Sequence, residues 1–208
     1  MSALIIGLTG GIASGKSAAT AAFAARGIAI ADADLAARDA VARGSAGLAE
    51  IVDTFGAGAL AADGQLDRAA MRRRVFEDPD ARARLEAIIH PRVRLALRAA
   101  CEAATSPYAV AAIPLLAEGG RDAYPWLHRV LVIDVPPDVQ MARLLARDGI
   151  DERLAARMVA AQASRAARLA IADDVLVNDG TLDALDQGIE ALDRRYRALA
   201  QARPPAAG

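Results

Sequence analysis

Cysteine is almost missing from this chain: Cys101 is the only one in 208 residues. A lone thiol excludes an internal disulfide and a cysteine-built zinc site, and it fits a small core residue better than a nucleophile. Charge of either sign is not in excess, with Lys+Arg 25 against Asp+Glu 26. That balance argues against a dedicated nucleic-acid binder, although local arginine clusters can still meet anionic small molecules. Apolar residues make up 54%, yet no apolar run reaches the length of a membrane span. Met1 leads straight into a strand pattern without a basic signal-peptide start, so the expected compartment is the cytoplasm and no membrane partner is expected. Lysine is reduced to Lys16 alone. With no second lysine the chain cannot carry an N-K-x-D guanine-reading motif, which weighs against a regulatory nucleotide switch.

The one lysine stands in the stretch around which the chain is organised. Gly10-Gly11-Ile12-Ala13-Ser14-Gly15-Lys16-Ser17 fits G-x-x-x-x-G-K-[ST] in full. Before it, Leu4-Ile5-Ile6-Gly7-Leu8 has the short apolar character of a buried parallel strand. After it, Ser17 to Arg26 is rich in alanine and predicts a helix. In that setting backbone N–H groups converge on phosphates at a positive helix N-terminus, the lysine reaches across them, and the serine hydroxyl can ligate Mg²⁺. A compact ammonium suits such a phosphate as a point charge, where a planar guanidinium fork does not.

Further strands are predicted at Ile28–Ile30, running into Ala31-Asp32-Ala33-Asp34, at Tyr108–Ile113, at Arg129–Val135 and at Asp174–Val177. Asp32 and Asp34 stand at the C-terminal end of a strand, the edge where open α/β sheets bind ligands. Alternation sends both the same way. Either can face the phosphates, and either can instead cap the following helix. From Leu35 to about Ala104 the pattern is mostly helical with glycine breaks, and His90-Pro91 predicts a bend within it.

Val130-Leu131-Val132-Ile133-Asp134 imitates the Mg²⁺-binding strand of many ATPases. Its late position and the Pro136-Pro137 pair after it mark it as a decoy. Helices are predicted from Asp138 to Arg147, from Asp151 to Ala161 and onward from Ser164. They carry Arg143, Arg147, Arg153, Arg157, Arg165 and Arg168, either as a mobile lid bringing guanidinium groups over a transferring phosphate or as an exposed amphipathic hairpin. Asn178-Asp179-Gly180 forms a polar turn able to read an adenine edge. A final helix capped by Thr181 runs to about Ala200.

With these segments in place the chain resembles the dephospho-coenzyme A kinase family over nearly its whole length. The resemblance is carried by Gly7-Leu8-Thr9-Gly10-Gly11-Ile12 through Ser17, by Asp32-Ala33-Asp34 with Ala37-Arg38, and by Phe55-Gly56, Asp63-Gly64, Leu66-Asp67-Arg68 and Val75-Phe76. It continues in His90-Pro91, Pro114-Leu115-Leu116 with Glu118, Gln140 with Arg143 and Arg147, Gln162 and Asn178, all in the family's order. Two departures stand in the loop: Ala13 replaces a usual glycine, and Ala18 a frequent threonine. At a positive φ the Ala13 Cβ costs about 1 kcal/mol.

The resemblance implies a three-layer α/β P-loop kinase fold with a five-stranded parallel sheet. It implies one domain over 1–202, with a core at 1–34, 105–136 and 172–200, a helical substrate-side insertion at 35–104, a lid at 138–170 and a frayed tail at 203–208. The implied reaction moves the γ-phosphoryl of ATP to the ribose 3′-hydroxyl of dephospho-coenzyme A. Gly10, Gly11, Ala13, Ser14, Gly15, Lys16, Ser17 and Ala18, with Arg147 and Asn178, are the implied ATP contacts. Ser17 is the implied Mg²⁺ ligand. Asp34, Lys16 and Arg143 are the implied catalytic residues, and Asp34, Leu115, Leu116 and Glu118 line the acceptor pocket. A monomer or weak oligomer is expected. Another small-molecule kinase shares the loop, sheet and lid and differs mainly in the insertion.

Overall fold

A computed structural model describes Ser2 and residues 4–203. Met1 and the tail expected at 203–208, apart from Arg203, lie outside the described residues. Strands β1 (Ile5–Thr9), β2 (Ala29–Asp32), β3 (Ala109–Ala112), β4 (Arg129–Asp134) and β5 (Asp174–Val177) make one parallel sheet in the order β2-β3-β1-β4-β5. The loop-bearing strand is therefore central, in register with β3 through Ile6↔Val110 and with β4 through Leu8↔Leu131. The helices are α1 (Lys16–Ala25), α2 (Ala33–Ala40), α3 (Ala46–Phe55), α4 (Arg68–Glu77), α5 (Pro79–Ala103), α6 (Leu116–Gly119), α7 (Pro137–Asp148), α8 (Glu152–Ala160), α9 (Arg165–Ala170) and α10 (Leu182–Gln201).

Two compact units can be distinguished. The first holds the residues up to Ala31 and those from Ala100 onward. All five residues of β1 and of its sequence run are buried, which is why the strand reads as continuous rather than alternating apolar sequence. On one face Leu4, Ile6, Leu8, Val110, Leu131 and Ile133 pack with Phe23 of α1 and Leu185, Ile189 and Tyr196 of α10. Three of the chain's few aromatic rings meet there: Tyr108 lies edge-on to Tyr196 at 5.5 Å and to Phe23 at 6.2 Å. Their buried hydroxyls are satisfied, Tyr108 donating to Asp193 at 2.7 Å and Tyr196 to Asp174 at 3.0 Å. Cys101 is buried and its thiol is pushed up to about 12 by burial, so it is inert as a nucleophile.

The second unit, Asp32–Ala99, is helical. Val41, Ile51, Phe55, Ala59, Met71, Ala81 and Ile88 form its core. The glycine breaks fall where expected: Gly56 closes α3 at φ 83°, and Asp63-Gly64 turns the chain between bridged Leu60 and Leu66. The interruption of helix expected at His90-Pro91 is not found. Helix α5 runs through Pro91 from Pro79 to Ala103. The ring removes the backbone donor that Ala87 O would otherwise receive. Ile88 and Val93, on either side of the proline, are both buried. Burial thus holds together a helix that the local preference alone would interrupt.

Among the described residues no helix is long and apolar enough to cross a membrane. The start of β1 depends on a titratable acceptor, because the Ile5 N–H donates to His128 Nδ1 at 2.8 Å. Burial, with Arg203 nearby, holds the His128 pKa below its ordinary value. A folded-state pKa below the unfolded one gives stability that is complete above the unfolded value near 6.5 and is lost as pH falls from there through the folded value. The urea midpoint of the protein should therefore drop between pH 7 and 5. In His128→Gln, which keeps an acceptor but cannot titrate, that part of the slope should vanish.

Candidate active site

The chain leaves β1 at Thr9, whose hydroxyl donates to Pro114 O at 3.2 Å, and turns at once into Gly10–Gly15 before α1 begins at Lys16. Three glycines in this turn lie close to neighbouring atoms, Gly10 to backbone and Gly11 and Gly15 to side-chain ends. A Cβ on Gly10 would stand 2.5 Å from Ile133 O; on Gly11, 2.7 Å from the Gln140 amide nitrogen and 2.9 Å from an Arg168 nitrogen; on Gly15, 2.2 Å from the Asn178 amide nitrogen. Gly15 also caps α1 in the left-handed region, φ 93°. It brings no side chain to the first-turn N–H groups, which have no partner within the helix and make a helix N-terminus attractive to anions.

Ala13 takes φ 56° and is the only described residue other than glycine with a positive φ. Its strain, about 1 kcal/mol relative to glycine, is therefore real. Lys16 Nζ donates to Gly10 O at 2.7 Å and to Gly11 O at 3.0 Å. Ser14 N closes the turn on Gly11 O at 3.2 Å.

Residues Ala13 to Ser17 line a cavity of about 360 Å³ together with Arg143 and Arg147 of α7. Arg143 is held by two carbonyls, donating to Asn178 O at 2.8 Å and Gly180 O at 3.2 Å. Arg147 is exposed and forks onto Asp148 at 2.7 and 2.9 Å; that hydrogen-bonded pairing raises its pKa and lowers that of Asp148. Three cations and a helix N-terminus converge, and none of the described lining residues is acidic. The cavity is therefore built for a polyanion.

Not every expected contact lies on that cavity. Ala18 packs against the core behind the loop. Asn178, expected at an adenine edge, is buried and gives its amide nitrogen to Ser14 O at 2.8 Å, bracing the loop from below. Leu116 is fully buried beneath β1, with Gly7 leaving room for it, so it is a packing residue and not a lining one. Leu115 beside it is exposed. Glu118 accepts from Ala163 N at 2.8 Å and so holds the turn between α8 and α9.

Asp134, the apparent Mg²⁺ ligand of β4, is buried and forked onto Arg165 at 2.6 and 3.0 Å, which supports its reading as a decoy. The same pair fixes one of the arginines for which lid and exposed hairpin are both open. Arg165 is given to a carboxylate, while Arg168 is buried, donates to Ala163 O and lies over Gly11. Gln140 and Gln162 both reach the Ile12 peptide. Their place in the sequence was visible, but not that contact, which spans 128 and 150 residues of chain.

In the helical unit, Asp32 Oδ1 accepts from Asp34 N at 2.8 Å and Leu35 N at 3.1 Å, making Asp32 the N-cap of α2. Of the two carboxylates left open by alternation, Asp32 is thus committed to the cap, and Asp34 stands exposed on the helix's first turn.

A glycine-rich turn from a central parallel strand into a helix, with its lysine and two arginines around one cavity, defines a P-loop phosphotransferase. A family model described as dephospho-CoA kinase matches residues 4–184. The dephospho-CoA kinase of Xanthomonas campestris pv. campestris (strain 8004) is 56% identical over 202 residues, covering 97% of each chain. The crystal structure of TT1252 from Thermus thermophilus superposes with TM-score 0.77 at 31% identity, over 98% of this chain and all of that one. Dephospho-CoA kinase from Campylobacter jejuni shares the fold, with TM-score 0.72 at 23% identity over 95% and 98%. The chain belongs to the dephospho-CoA kinase family, whose members are ATP-dependent kinases.

Proposed function

We propose that this chain transfers the γ-phosphoryl of ATP to the ribose 3′-hydroxyl of dephospho-coenzyme A, giving coenzyme A and ADP. The observation that carries the reading is the cationic cavity bounded by Ala13–Ser17, Arg143 and Arg147, on a chain of this family. The triphosphate lies along the loop, its oxygens taking the N–H groups at the start of α1. Lys16 and Arg143 meet the charge that develops on the transferring phosphoryl group, and Arg147 pairs with the nucleotide nearer the rim. With little covalent work left to the protein, positioning and electrostatics dominate the barrier. Asp34 accepts the hydroxyl proton or orients that hydroxyl for in-line attack. Leu115 and Glu118 belong to the acceptor side.

Among the described residues no group of three or more acidic, histidine or cysteine side chains could cage a metal. That suits Mg²⁺, which is held by one or two protein oxygens plus phosphates, and Ser17, exposed on the first turn of α1, is the residue to supply one. When bound, the ion neutralises phosphate charge. Residues 35–104 serve as the acceptor-side insertion and 138–170 as the lid, within a single domain over 1–202. The chain works in the cytoplasm as a monomer or weak oligomer, without nucleic acid or membrane.

The test is ADP release with and without dephospho-coenzyme A. Release that depends on the acceptor supports the assignment, and equal slow release in both arms overturns it. Arg143→Ala should lower kcat by on the order of a hundredfold, the usual worth of one preorganised charge donor. It should leave the acceptor KM within a few-fold.

A further inference from the structure

The loop's second turn is held in an unusual way. Ile12 N–H donates to Gln162 Oε1 at 2.7 Å, and Ile12 C=O accepts from Gln140 Nε2 at 2.8 Å. The two amides come from different elements, Gln140 from α7 and Gln162 from the turn between α8 and α9. Their orientations are dictated by the peptide, since a backbone N–H can only donate and a carbonyl only accept. The next residue is Ala13, the one described non-glycine residue in the left-handed region. Strained backbone persists only where its surroundings over-determine it.

We propose that Gln140 and Gln162 are positioning residues for the nucleotide: they clasp the Ile12 peptide on both sides and so hold Ala13, and with it the phosphate-facing crest of the loop, in its strained conformation. Three further features fit. Gly11 has no side chain where the Gln140 amide approaches to 2.7 Å of a would-be Cβ. The residue after Gln162 is itself pinned, Ala163 N donating to Glu118 at 2.8 Å. Two residues further on, Arg165 is forked onto buried Asp134. The turn carrying Gln162 is thus anchored independently of the loop. Displacement of α8 and α9 therefore acts on the loop at the Ile12 peptide, beside the Arg168 guanidinium that lies over Gly11.

The inference rests on the loop's assignment to ATP, and steady-state kinetics of the full-length enzyme separate the two. Gln162→Met keeps the side-chain volume and removes the acceptor. It should raise KM for ATP about tenfold while KM for the acceptor stays within twofold. Gln140→Met should do the same, and the double variant should exceed either single one by less than the product of the two.

Strain at residue 13 supplies the discriminating arm. Glycine adopts that φ without penalty, so in an Ala13→Gly background the loop needs the clasp less, and Gln162→Met should raise KM for ATP less than threefold. The same factor in both backgrounds, or an acceptor KM that rises with that for ATP, overturns the clasp. If Gln162→Met is silent while Lys16→Ala is crippling, the clasp alone is wrong. If both are silent, the loop's assignment falls with it.

Discussion

Lys16→Ala is expected to lower kcat by at least about a hundredfold at saturating ATP and acceptor, close to 3 kcal/mol of transition-state stabilisation. The ammonium is held by the loop itself, at 2.7 Å from Gly10 O and 3.0 Å from Gly11 O, on the cavity that Ala13–Ser17 line. No second lysine exists to replace it. Lys16→Arg should fare little better. A planar fork cannot point its donors at both carbonyls and a phosphate as a tetrahedral ammonium does. Both variants should retain the melting temperature of the parent within a few degrees, because Lys16 lies at the first position of α1 and contributes nothing to the buried cluster around Phe23. Acceptor-dependent ADP release measures the effect. A Lys16→Ala enzyme within fivefold of the parent would remove this residue from the mechanism.

What could be read in the sequence is what local forces decide. Each of the five strands lies within a residue or two of its expected bounds; for β1, β3 and β4 the reason is that an apolar run buried on both faces announces itself whatever it pairs with. The helix starts were legible through their caps: Thr181 accepts from Ala184 N at 3.2 Å and Asp151 from Leu154 N at 2.7 Å. The loop was legible because its glycines, lysine and serine obey one spacing.

The misses share one cause, competition from distant parts of the chain. Pro91 breaks helices by local preference, and packing on either side of it decided otherwise. The turn at Asn178 gives no sign that its amide goes to Ser14 O, 164 residues away. Leu116 and Leu115 are neighbours of equal hydrophobicity, and only the fold tells which is buried. Nothing local to Arg165 and Arg168 names their partners, Asp134 and the Ala163 carbonyl. Asp134, marked as a decoy by its late position and the proline pair, has its carboxylate satisfied by Arg165.

Asp34→Asn should lower kcat by two to four orders of magnitude while leaving ATP affinity unchanged, because an amide keeps the size and loses the ability to accept a proton. Asp32 serves as its control, since both acids precede or open the same helix and differ in what their carboxylates do. Asp32 Oδ1 is engaged by two backbone N–H groups, a task that asparagine performs nearly as well. Asp32→Asn should therefore keep kcat within a few-fold. Asp32→Ala removes the cap, costs about 1 kcal/mol of helix stability, and loosens the first turn on which Asp34 rides, so it should lose activity in proportion to that loosening and regain part of it at lower temperature. The three variants give a ranked series in kcat, with Asp32→Asn highest, Asp32→Ala between and Asp34→Asn lowest, and a flat series in ATP affinity. Were Asp32→Asn the crippled enzyme and Asp34→Asn the active one, the proton would go to the capping carboxylate, and the two residues would exchange roles.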